Sequence, residues 1–174
     1  HRDGCIQVKL DVKKDMEFPF LPRFGLRLFL DQSLDRVRYC GMGPDESYPD
    51  KHQASWHGIF EGDVRTMHRP YLKPQEYGSH WDCSWCEISG EEMSFQASSK
   101  EGFMFQACEY TQEELSEKAH DFELKEAGCT VLCLDHNQSG IGSGSCGPQL
   151  LEKYQFNEPE FSRTWVITPG KRKE

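Results

Sequence analysis

At 174 residues the chain is long enough for one domain with a real core, and its net charge of −9 excludes a phosphate-binding face for nucleic acid, which needs clustered Lys and Arg. The one basic run, Lys171-Arg172-Lys173 after Pro169-Gly170, reads as a solvated tail over residues 171–174, leaving a single domain over 1–170. No apolar stretch is long enough for a signal-peptide core or a membrane span, and an opening of His1-Arg2-Asp3-Gly4 predicts an excised or processed segment.

In chain order, Ile6, Val8, Leu10 and Val12 alternate with Gln7, Lys9 and Asp11, the period of a strand with one buried face. Phe24, Leu26, Leu28 and Leu30 repeat the pattern, and Phe29 on the opposite face predicts a central strand covered on both sides. Val37–Cys40 is a third strand. It runs into Gly41-Met42-Gly43-Pro44, where the glycines admit backbone conformations closed to other residues and the proline fixes the exit. Further strands are expected over 81–89, 93–97, 103–110, 130–135 and 163–168. Thr111-x-x-Glu114 forms a capping box, in which each side chain satisfies the other's backbone N–H, opening a helix from Gln112 to His120. With no internal repeat and no linker, these elements predict an all-β fold, an antiparallel β-sandwich carrying one short helix.

The eight cysteines fall short of the roughly 8–10% that marks a disulfide scaffold. Cys83 and Cys86 lie in an expected strand, where residues three apart point to opposite faces and cannot chelate one ion. Cys129 and Cys133 share a face with Val131, as on a packed sheet surface. Neither pair has the second pair that structural zinc requires, so the reading is free thiols, no metal ligands and a reducing cytoplasm.

The densest stretch is Val37 to Asp50, in which Gly41, Gly43 and Pro44 build a tight turn and Asp45, Glu46, Tyr48 and Asp50 project from it. It resembles the W-x-G-x-G-P-x-E-x-Y-x-D signature in the C-terminal domain of glycoside hydrolase family 2 β-galactosidases, with Tyr39 in place of the tryptophan. Leu21-Pro22-Arg23-Phe24-Gly25-Leu26 is similar to the P-R-x-G-L segment that precedes it. Pro70 to Gly78, which includes Pro74 and Glu76, is similar to P-Y-x-x-P-Q-E-N-G, with Tyr77 in place of the asparagine. Leu115 to His120 and Asp135 to Gly142 match two later segments. The five fall in the right order.

The resemblance implies the large antiparallel supersandwich shared with galactose mutarotases, of which this chain holds the later portion. It also implies that the partners are the rest of a homo-oligomeric enzyme chain and a galactoside substrate. The catalytic glutamates and a divalent metal are expected in a central barrel domain outside this chain, so no cofactor is expected within it.

A retaining glycosidase needs two carboxyl groups about 5–5.5 Å apart. Glu46, Asp50 and Glu76 sit in motifs, but acids in Gly/Pro turns commonly accept backbone N–H bonds, and no catalytic residue is assigned. The resemblance places a sugar-stacking aromatic just after the G-[IVL]-G run. Here Gly140-Ile141-Gly142-Ser143-Gly144-Ser145-Cys146-Gly147 puts Cys146 at that place, so Ser145, Cys146 and Gly147 are the candidate substrate-binding residues, with a plain surface loop as the alternative. Two other classes stay open. A carbohydrate-binding module would use Trp56, Trp81, Trp85 and Tyr48 as a platform, and a mutarotase-like epimerase would pair His120 with Glu76 or Asp135.

Overall fold

The computed structural model describes residues 4–142 and 147–171. Eight antiparallel strands form one sheet: β1 (Ile6–Lys13), β2 (Arg23–Asp31), β3 (Arg36–Gly43), β4 (Trp56–Asp63), β5 (Ser79–Ser89), β6 (Met93–Cys108), β7 (Cys129–Gln138) and β8 (Glu160–Lys171). Their main order is β1-β8-β6-β5-β3-β4, and β7 joins β6 while carrying β2 on its far side. Among the described residues a single α-helix, α1 (Gln112–Glu117), lies between β6 and β7. The all-β reading with one short helix therefore holds.

The architecture turns on β6. One of its edges pairs with β5 from Ser94 to Gln106. The other is shared, residues 93–98 pairing with β8 and residues 104–108 with β7. The sheet thus parts into two wings between Ser98 and Met104. At the same level β5 is bulged between His80 and Trp85, Asp82 has φ +52° and Gly102 has φ +66°. Both wings contribute to one core: Trp165 of β8 and Leu10 of β1 pack with Leu132 and Leu134 of β7, Leu28 of β2 and Ile88 of β5. A smaller cluster of Tyr77, Cys108, Leu115 and Val131 seats α1.

Several expectations are corrected. Residues 93–97 and 103–110 are not two strands but the halves of one bent, 16-residue strand. β4 has no counterpart in the sequence pattern, because Gly58 and Gly62 interrupt its apolar alternation, and among the described residues it is an edge strand paired with β3. β2 is likewise an edge rather than a central strand: Phe29 is exposed, with the Arg27 guanidinium 5.5 Å from its ring centroid. The helix stops at Glu117, and its capping box runs one way. Thr111 accepts the Glu114 N–H at 3.2 Å, but the Glu114 carboxylate accepts from the Lys125 N–H instead of returning to Thr111.

The bulge also overturns the argument from strand geometry for Cys83 and Cys86. It adds a residue to the pleat, so both thiols enter the same core cluster. Burial pushes both well above the ordinary thiol range. Gly41 and Gly43 do not serve as conformational outliers either. They are ordinary strand residues, and a Cβ on Gly41 would overlap Cys83 Sγ while one on Gly43 would overlap the Tyr39 hydroxyl. Glycine is required there by packing.

Candidate functional site

The motif residues meet at the end of the sheet where β2 begins and β5 and β7 pass. Arg23, at the start of β2, reaches Asp135 of β7 through Nε (3.3 Å) and Nη2 (2.5 Å), and donates through Nη1 to Glu76 Oε2 at 2.8 Å. The other Glu76 oxygen accepts from the Ser79 hydroxyl at 2.9 Å and the Tyr48 hydroxyl at 3.4 Å. Gln138 closes the network, its Nε2 donating to Asp135 Oδ2 and Ser79 Oγ, both at 3.1 Å. Burial works against the Arg23 charge, but Asp135 and Glu76 outweigh it and keep the guanidinium firmly protonated. Burial pushes the Glu76 carboxyl above its usual range even against Arg23 and Ser79.

Glu46 forms a second hub. Lys51 Nζ and the Tyr71 hydroxyl donate to Oε1, the latter at 2.6 Å, and the Gly78 N–H donates to Oε2 at 2.7 Å. Burial would raise this carboxyl, but those three donors, the Gly78 N–H foremost, hold it below its ordinary value. The Glu46 and Glu76 hubs flank the reversal at Pro49-Asp50, which is closed by mutual backbone bonds between Tyr48 and Lys51 at 2.8 and 3.0 Å.

Asp50 is at the tip of that reversal. Its Oδ1 accepts the Ile141 N–H at 3.2 Å and its Oδ2 the Gly142 N–H at 2.9 Å. A Cβ on Gly140 would overlap this carboxylate, so close approach is possible only because residue 140 is glycine. Just upstream, Ser139 donates its N–H to Pro22 O at 2.9 Å and its hydroxyl accepts the Phe156 N–H at 2.8 Å. Beside this anchored segment lies a cavity of about 340 Å³ whose walls include Phe20, Arg23, Glu76, Ile141 and Leu150.

The sequence-derived candidates fare unevenly. Ser145 and Cys146 lie outside the described residues, whereas Gly147 is exposed and a Cβ there would meet nothing within 4 Å among the described residues. Glu46, Tyr48, Asp50 and Glu76 converge as described, and Pro74 is buried in the loop that delivers Glu76. The aromatic candidates form no common platform. Tyr48 is fully buried, Trp81 packs at a tilt against His52, Trp85 lies under Arg38, and Trp56 packs edge-on to Phe60. Glu76 and Asp135 come together through Arg23, but exposed His120 turns to Glu123 and Phe122 instead. No set of three His, Cys, Asp or Glu side chains able to hold a metal is found among the described residues. Sequence reasoning gave no role to Gln138 and Ser139, which fall at variable places of the Asp135–Gly142 motif, nor to Lys51 just beyond the first motif, since single polar residues there carry no signal of their own.

Comparison with known proteins agrees with the motif pattern. A family model described as the beta galactosidase small chain matches residues 1–167. The beta-galactosidase of Actinobacillus pleuropneumoniae is 45% identical over 159 residues, covering 91% of this chain and 15% of that protein. Those of Staphylococcus xylosus and Kluyveromyces lactis are 39% and 34% identical, over 92% and 83% of this chain. The chain spans about 15% of the length of these relatives and corresponds to one part of a larger protein. By the match over nearly its whole length, with the motif residues gathered at one end of an antiparallel sheet, this chain belongs to the beta-galactosidase small-chain family.

Proposed function

We propose that this chain is a noncatalytic C-terminal part of a glycoside hydrolase family 2 β-galactosidase, forming scaffold and one wall of the active-site entrance while the remainder of the enzyme hydrolyses terminal β-galactosides. One observation carries the noncatalytic reading. The three carboxylates that converge at this end of the sheet are engaged within the chain: Glu46 by Lys51, Tyr71 and Gly78, Glu76 by Arg23, Ser79 and Tyr48, and Asp50 by Ile141 and Gly142. An acid–nucleophile pair needs carboxyl groups open to a glycosidic bond, and these are closed by donors. The entrance role is supported by the cavity beside Gly140 and Ile141, which Arg23 and Glu76 line with charge and Phe20 and Leu150 with apolar surface. Seven described cysteines without a disulfide fit a reducing cytoplasm.

Two measurements test the proposal. The isolated chain should neither hydrolyse a nitrophenyl β-galactoside nor accelerate galactose mutarotation, and turnover abolished by Glu46→Gln or Glu76→Gln would sink the noncatalytic reading. In the full-length enzyme, Cys146→Trp should improve binding of the leaving sugar by on the order of 0.5–1.5 kcal/mol, since an indole offers a pyranose an apolar platform that a thiol lacks. A contact made equally in ground and transition states lowers KM for lactose, or raises transfer to added glucose, with kcat little changed. If KM and transfer are both unmoved in a folded variant, the loop does not border the sugar.

A further inference from the structure

We propose that Arg163 and His136 form an acid-sensitive clasp between the two wings of the sheet, closed while the imidazole is neutral and released when it takes up a proton. Backbone pairing along one edge of β6 passes from β8 to β7 and skips residues 99–103, and it is there that the wings part. One side chain fills the gap. Arg163 of β8 is on the same face as Trp165, with its side chain only 6% exposed, and donates through Nη1 to Gly102 O and, at 3.4 Å, to Ser99 Oγ of β6. Through Nε it reaches His136 Nδ1 of β7 at 2.9 Å, and through Nη2 the His136 carbonyl at 3.4 Å. A single guanidinium thus joins three strands where the ladder between them is interrupted.

The contact to Nδ1 fixes the state of the ring. A guanidinium only donates, so Nδ1 must accept; the neutral ring then carries its hydrogen on Nε2, which donates to Glu158 Oε1 at 3.4 Å. The ring is held in this plane by stacking on Phe161, with centroids 4.3 Å and planes 6° apart. Protonation puts a donor and a positive charge on Nδ1, directly against the Nε–H of Arg163, and that bond is lost. The same proton strengthens the pairing with Glu158. His136 therefore has two partners and two states, one for each charge of the ring.

The charged groups around it are Arg163 from β8, Glu158 from the loop before β8, and exposed Glu101 from the bend of β6, which lies 3.6 Å from Arg163 Nη1. Lys100 on the same bend is exposed to solvent, and Arg23 of β2 is committed to Asp135 and Glu76. Burial and Arg163 outweigh the two glutamates and hold the imidazole below its ordinary value of 6.5. The unfolded chain takes up the proton first, so the clasp contributes fully above that value and loses its hold as pH falls through the lower value of the folded chain. His136 stands between Asp135 and Gln138, both members of the Arg23 network, so the segment it releases is the one that enters the candidate site.

The experiment follows amide exchange in the full-length enzyme from about pH 7.5 to about pH 5, corrected for the intrinsic pH dependence of exchange, in peptides covering residues 99–103, 136–139 and 161–165. Protection there should fall several-fold below about pH 6.5, while the turn of the β5–β6 hairpin keeps its own. His136→Asn, whose side-chain oxygen replaces Nδ1 as an acceptor but does not titrate, should hold protection level across the range. Arg163→Met should lower it at every pH and abolish the step. Glu158→Gln keeps the clasp, removes a carboxylate that favours the charged ring, and should move the step to lower pH; it carries the test where the other variants do not fold. Level protection in the wild type, a fall shared equally by the hairpin turn, or an unchanged step in His136→Asn or Glu158→Gln would each overturn the proposal.

Discussion

His80 shows at the residue scale how packing sets a pH response. Its ring lies 4.3 Å from Tyr39 and 5.2 Å from Phe105, and Nδ1 is 3.2 Å from Met42 O, so the neutral ring donates its Nδ1–H there. Burial pushes the imidazole down from 6.5 to about 4. As pH falls below 6.5 the unfolded chain takes up this proton first, so the stability that His80 contributes is complete above that value and drains away down to about 4. A depression of this size corresponds to about 3 kcal/mol. Denaturant midpoints should therefore fall between these pH values, and His80→Gln should flatten that fall. An equally steep profile in the variant would assign the loss to other groups. Glu46, held below its ordinary value, adds an acid-side loss at lower pH, whereas the raised Glu76 carboxyl works in the opposite direction. Residue types were legible in the sequence here, but their causes were not. Gly41 and Gly43 stood out in the chain, yet what demands them is Cys83 and the Tyr39 hydroxyl, and a one-dimensional pattern does not display a neighbour in space.

At the scale of elements, the alternation of apolar residues located seven strands. What it could not convey was continuity. Ser98-Ser99-Lys100-Glu101-Gly102 has the composition of a turn, and it is instead the bend of β6, where backbone pairing passes from β8 to β7. The bend depends on Gly102, whose φ of +66° suits glycine and whose added Cβ would lie 2.9 Å from Asp82 Oδ1. Gly102→Ala should cost on the order of 1–2 kcal/mol, with faster amide exchange in both wings. Thermal denaturation and exchange mapping check this, and a loss confined to one wing would mean that the bend does not couple them. The missed β4 has the same root. An edge strand needs one favourable neighbour more than a strong pattern, and β3 supplies it.

For the whole molecule, Arg23 joins the start of β2 to β7 and to the loop before β5, so three segments far apart in sequence share one guanidinium. Arg23→Met should leave Asp135 and Glu76 facing each other without a counter-charge and cost about 3 kcal/mol, the low end for a broken buried pair because Arg23 and Glu76 stay partly solvated. Adding Glu76→Gln should recover part of this loss in a denaturation series; no recovery would show that Arg23 acts through packing alone. The motifs were visible as separate strings. That they form one site depends on long-range pairing, which no string contains. The same pairing has a consequence for biosynthesis. Among the described residues β1 pairs with β8, Ile6 opposite Ile167, so this pairing waits for roughly 160 further residues to be made. At about 5–20 residues per second, that wait is on the order of ten seconds. The hairpin of β5 and β6, closed by the Gly90 N–H on Met93 O, is complete long before and can serve as the template on which the late strands assemble.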